Sequence, residues 1–136
     1  MKTLFRNSIE LSLEEVDYAG VMYFGKIFLI AHKVFEKFLI KKKLPIATII
    51  SRTKYRLPIV QARADYVRPI HLSDKIDIIL YIEKIEISSF CLQYRFFVNQ
   101  KQLSAIVKLK HVCLSQTLNQ SIRLPKELLL QLFYTS

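Results

Sequence analysis

The chain has 136 residues, 51% hydrophobic and 24% charged, with only two glycines and four prolines. That composition excludes a disordered or low-complexity chain and suits one domain over residues 1–136, which buries roughly two thirds of its unfolded surface. Twenty-one Lys and Arg against 11 Asp and Glu leave a formal charge of +10, which favours an anionic partner: nucleic acid, a membrane surface or a phosphorylated small molecule.

Residues Thr3 to Leu13 set Phe5, Ile9, Leu11 and Leu13 on one parity and Arg6, Ser8, Glu10 and Ser12 on the other, the period of a half-buried strand. Glu14-Glu15 follows, then the stretch Asp17-Tyr18-Ala19-Gly20-Val21-Met22-Tyr23-Phe24. From about Phe24 to Lys42, Ile27, Phe28, Ala31, Val34, Phe35, Phe38 and Leu39 recur at three and four, predicting a helix of some five turns. Lys41-Lys42-Lys43 complements its negative pole and Pro45 stops it. Leu44 to Ser51 predicts one short helical turn, and Arg52 to Arg56 a basic loop. Strands are predicted at Ile59 to Val67, Lys75 to Ile87, Phe90 to Asn99 and Leu103 to Ser115, from alternation and β-branched runs. A short helix from Pro125 to Phe133 closes the chain. The order predicts an α+β fold, a five-stranded antiparallel sheet around one long apolar helix, whose sheet edges invite a second copy of the chain, as a homodimer or homotetramer.

Asp17 precedes a helix start, where several amides lack intrahelical partners and the peptide dipoles add positive charge. Such an end stabilises an oxyanion, and Asp17 beside it is placed to serve the attacking side of the same reaction. The same residue is also a good helix N-cap, and Gly20 an ordinary turn glycine. Cys91 and Cys113 lie in strand-like runs without metal spacing and read as buried thiols. No metal site is expected. No stretch of eighteen apolar residues would span a bilayer, and the N-terminus lacks a signal-like apolar region, so a cytoplasmic protein without membrane attachment is expected.

Asp17, Gly20 and the aromatic pair Tyr23-Phe24, followed by a long helix and four strands, resemble the hot-dog acyl-CoA thioesterases of the 4-hydroxybenzoyl-CoA thioesterase family. Within it, Asp17, Ala19-Gly20-Val21, Tyr23-Phe24, His32, Glu36 and Leu57-Pro58-Ile59-Val60 resemble the 1,4-dihydroxy-2-naphthoyl-CoA hydrolases of phylloquinone synthesis. The resemblance implies hydrolysis of an acyl-CoA with no cofactor beyond the coenzyme A of the substrate. It makes Asp17 the catalytic carboxylate, as nucleophile or as general base for water. The Phe24 N–H becomes the donor to the thioester carbonyl, with Gly20, Tyr23 and His32 lining the substrate site. Three departures bear on it: Val16 stands where the family usually has Thr, Lys26 where Asn is common, and Ile87-Ser88-Ser89 where some relatives carry basic residues for the nucleotide phosphates. Glu36, on the helix, is a second candidate acid. The basic residues Arg52, Lys54, Arg56, Arg63, Arg68 and Lys75 are candidates for the coenzyme A phosphates. Hydrolysis of short-chain acyl-CoA or carrier-protein thioesters is an alternative activity. A nucleic-acid-binding module is an alternative of another class, for which Tyr94, Phe96 and Phe97 around Arg95 would have to be exposed.

Overall fold

The computed structural model of the chain describes residues 1–134. Its elements run β1 (Lys2–Glu10), a 3-10 turn (Leu13–Glu15), α1 (Lys26–Lys41), α2 (Ile46–Arg52), β2 (Tyr55–Arg56), β3 (Ile59–Tyr66), β4 (Lys75–Ile85), β5 (Ser89–Val98), β6 (Gln102–Val112), β7 (Leu114–Ser115) and α3 (Lys126–Phe133). Five strands form one antiparallel sheet in the order β1-β4-β5-β6-β3, and β2 pairs with β7 beside it.

The sheet wraps α1 because both carry a continuous apolar face. Ile27, Ile30, Ala31, Val34, Phe35, Phe38 and Leu39 are buried on α1, at the spacing of one helical stripe. They meet the inward parity of the sheet: Ile76, Ile78, Leu80 and Ile82 of β4, then Phe90, Leu92, Tyr94 and Phe96 of β5. Each such fully buried side chain stabilises the fold by about 2 kcal/mol. Phe133 of α3 closes the end of this core edge-on against Phe90, with ring centroids 5.1 Å apart. This is the hot-dog arrangement of the sequence reading.

The edge strand β3 is the exception to sheet burial. Of its eight residues only Ala64 is partly covered, and the rest are exposed. It pairs with β6 on one side only, so it presents an unpaired strand edge.

Several local readings are corrected. The first strand ends at Glu10, because Ser12 turns the chain: the Glu15 carboxylate accepts from the Ser12 N–H and Oγ–H, both at 2.9 Å. The long helix begins at Lys26, which leaves Tyr23 and Phe24 outside it. The basic loop contains β2, held by Arg56. Its guanidinium donates to the carbonyls of Ile49, Ile50 and Thr53 at the end of α2, and to Gln116 Oε1 beyond β7. Arg56 is thereby committed to closing a helix end. The last long strand breaks at Cys113 into β6 and β7. Among the described residues no helix is long and apolar enough to cross a membrane.

Candidate active site

The segment between β1 and α1 is a tight hairpin. Val16 bridges Met22, the Asp17 N–H donates to the Val21 carbonyl at 2.9 Å, and the Gly20 N–H donates to the Asp17 carbonyl at 3.0 Å. The Asp17 side chain braces the turn as well, Oδ1 accepting from the Ala19 N–H at 2.9 Å and the Val21 N–H at 3.3 Å. Those two amides orient the carboxylate, and Val16 packs against the core. Gly20 sits at φ +78°, a conformation that disfavours other residues, and a Cβ there would meet no atom within 4 Å. Its backbone geometry, not a close contact, requires glycine.

The far limb of the hairpin zips onto the segment after β3. The Met22 N–H donates to the Ile70 carbonyl at 2.7 Å, and the Leu72 N–H to the Gly20 carbonyl at 2.8 Å. Together they wall a cleft of about 330 Å³ lined by Val21, Met22, Phe24, Tyr66, Val67, Arg68, Pro69 and Ile70. Asp17 stands on the opposite limb, across the hairpin from Val21, with its carboxylate exposed. Of the basic candidates, Arg68 lines the cleft, whereas Arg63 is paired with Asp65 at 3.2 Å.

The start of α1 opens beside this cleft without a cap. Its N-cap is Gly25, no side chain caps it, and no acidic residue occupies the first turn. Among the described residues the Phe24 and Gly25 amides have no acceptor. The positive end of a sixteen-residue helix is therefore left uncompensated. Tyr23, Phe24 and Tyr66 present rings there that are 49%, 65% and 46% exposed. Exposed aromatic surface at that density is itself a binding feature.

The other predicted site residues lie apart from it. His32 is six residues into α1, roughly 9 Å along its axis. It stacks on Phe35 and lines a separate groove of about 290 Å³ with Leu29, Lys33, Glu36 and Ile46. Within one chain the structure does not bring His32 to Asp17, Tyr23 and Phe24. Two roomier grooves, about 490 and 410 Å³, run along β1 and β4 past Ser8, Asp77 and Gln100. Burial pushes the Cys91 and Cys113 thiols up, away from thiolate character. Tyr94 and Phe96 are fully buried against α1, so β5 offers no row of exposed rings for stacking bases.

Sequence reasoning passed over Tyr66, whose hydroxyl donates to the Phe24 carbonyl. The contact joins residues 42 apart, and strand alternation carries no signal for it.

The model of the thioesterase-like superfamily matches residues 11–132. The chain is similar to the 1,4-dihydroxy-2-naphthoyl-CoA hydrolase of Microcystis aeruginosa, 32% identical over 91% of this chain and 89% of the relative. It is 33% identical to the hydrolase of the same name from Prochlorococcus marinus, over 84% of this chain and 80% of the relative. Among solved structures, a 1,4-dihydroxy-2-naphthoyl-CoA thioesterase from Synechocystis superposes with a TM-score of 0.86 at 28% identity, covering 94% of each chain.

Proposed function

The chain belongs to the thioesterase-like superfamily and is a thioester hydrolase, and from that premise we propose that it cleaves an aromatic acyl-CoA, with 1,4-dihydroxy-2-naphthoyl-CoA as its substrate. The carrying observation is the uncapped start of α1 directly after Phe24, which with Tyr66 walls a cleft bordered on its other side by Val21 and Met22 of the Asp17 hairpin. A thioester carbonyl seated there accepts from the Phe24 N–H. As the carbonyl carbon is attacked, negative charge grows on that oxygen and the helix end stabilises it; such a donor typically lowers the barrier by about 3 kcal/mol. Asp17 either attacks the carbon, giving an anhydride that water then opens, or takes a proton from an attacking water. In both routes the carbon–sulfur bond breaks, a carbon–oxygen bond from water replaces it, and coenzyme A leaves as thiolate and is protonated. Arg68 is placed to meet a phosphate of the departing group.

Release of free thiol from a panel of acyl-CoA thioesters tests this reading. The naphthoyl thioester is expected to exceed acetyl- and butyryl-CoA in kcat/KM by roughly tenfold or more, since each methylene-sized contact in an apolar pocket is worth about 1–3 kcal/mol. A preference for the short chains would favour the general acyl-CoA alternative, and no thiol release from any member would refute the assignment.

The exposed, one-sided strand β3 supports a second proposal, that two copies pair through it. Antiparallel pairing about Ala64 sets Arg63 of one copy across from Asp65 of the other, and it brings a second chain to the cleft at Tyr66, Val67 and Arg68. Sedimentation at about 10 μM is expected to show a dimer or a multiple of it; a monomer at that concentration, on the micromolar scale of modest interfaces, would exclude this pairing.

A further inference from the structure

We propose that Tyr66 is a positioning residue for hydrolysis, its hydroxyl holding the Phe24–Gly25 peptide so that the amides at the start of α1 face the thioester carbonyl. The proposal rests on the cleft at the start of α1 being the site of thioester hydrolysis.

The Phe24 carbonyl lies one residue before the N-cap Gly25, so no amide of the helix reaches back to it. Tyr66, at the end of β3, supplies that missing donor. A peptide unit is planar and trans, with its C=O and N–H pointing in opposite directions. Fixing the Phe24 carbonyl towards β3 therefore turns the Gly25 N–H the other way, and it restrains the backbone of Phe24, whose own N–H is the principal donor. The Tyr23 ring also lies beside this peptide, so close that a Cβ on Gly25 would come within 3.2 Å of it. The unit is thus held by a hydrogen bond at its carbonyl and has a ring packed close beside it. Other helices fix their first turn with a capping side chain or an acidic residue, but either would fill or neutralise the end that must accept an anion. A tether from a neighbouring strand to the preceding carbonyl gives the rigidity without occupying the donors. Tyr66 is itself a wall of the cleft, and partial burial holds its phenol above the ordinary value, so the proton stays available to donate.

Tyr66→Phe removes only the hydroxyl. Measured on 1,4-dihydroxy-2-naphthoyl-CoA and benzoyl-CoA, it is expected to lower kcat by about tenfold to a hundredfold, the scale of a misplaced or lost oxyanion donor. KM should stay within about twofold, because the donors act on charge that develops only as the bond is made. The pH profile of kcat should keep its shape, and the melting temperature should move by less than about 2 °C. Unchanged kcat would overturn the proposal. So would a fall in kcat accompanied by a melting temperature more than about 5 °C lower, the mark of a merely structural tie, or loss of an alkaline limb, the mark of a proton donor. Assaying Asp17→Asn alongside separates the two claims. If that variant is inactive while Tyr66→Phe turns over normally, the positioning role alone fails; if the parent releases no thiol from either thioester, the reading of the site fails with it.

Discussion

Asp17→Asn should fold as the parent does and lose at least about a hundredfold in kcat/KM towards acyl-CoA thioesters, the low end of what a positioned general base contributes. The substitution isolates charge from shape. Asparagine keeps an oxygen where Oδ1 accepts from the Ala19 and Val21 amides, so the turn retains both of its side-chain bonds. Asp17 is exposed and forms no ion pair among the described residues, and such surface changes usually stay within about 0.5 kcal/mol of stability. What disappears is the negative oxygen that attacks or that takes the proton of water. Circular dichroism and thermal melting check the first half of the prediction, and free-thiol release checks the second. Turnover near the parent's would transfer the role to Glu36, the carboxylate in the groove beside His32, and Glu36→Gln is the control that decides between them.

The parts legible in the sequence are those governed by periodicity. The stripe of α1 and the alternation of β4 to β6 follow from side chains that must all reach one core, and they fixed fold class and order. Phe28, read as part of that stripe, is only half-buried at one margin of it, whereas Ile30, at the other margin, is buried. Residue types mark the Asp17 loop in the sequence, yet its hairpin form and its bracing by the Ala19 and Val21 amides depend on a turn geometry that only coordinates show. The tie from Tyr66 to Phe24 and the closing role of Arg56 both join residues that adjoin only after folding. The alternation of β3 sets Val60, Ala62, Ala64 and Tyr66 against Gln61, Arg63 and Asp65, whereas its position at the sheet edge leaves both parities exposed. Pattern reports what a strand is able to bury, and topology decides what covers it.

Stability should fall with pH between about 6.5 and 4, and His111 is the reason. Its ring is 1% exposed, packed between Phe35 and Phe90 at centroid distances of 4.7 and 5.0 Å. Nδ1 lies 2.9 Å from the Leu57 carbonyl, which only accepts, so Nδ1 carries the proton and Nε2 is left buried with no partner among the described residues. Burial pushes the imidazole down to about 4 from 6.5; the Leu57 hydrogen bond opposes that shift, and the nearby His32 adds to it. Across this window the unfolded chain binds a proton that the folded chain refuses. The fold keeps its full stability above 6.5, loses it as pH falls, and reaches the end of this group's loss near 4, for a total of about 3 kcal/mol. Carboxylates titrate over part of the same range, so the absolute curve is not diagnostic. The comparison with His111→Phe is. Phenylalanine keeps the stacked ring and removes the titrating nitrogen, while leaving the Leu57 carbonyl without its donor, a cost of about 1–3 kcal/mol at neutral pH. The variant should thus be less stable than the parent at pH 7, with the gap narrowing or reversing by pH 4, as read from denaturant midpoints at each pH. A gap that stays constant from pH 7 to 4 would show that His111 does not set the acid limb.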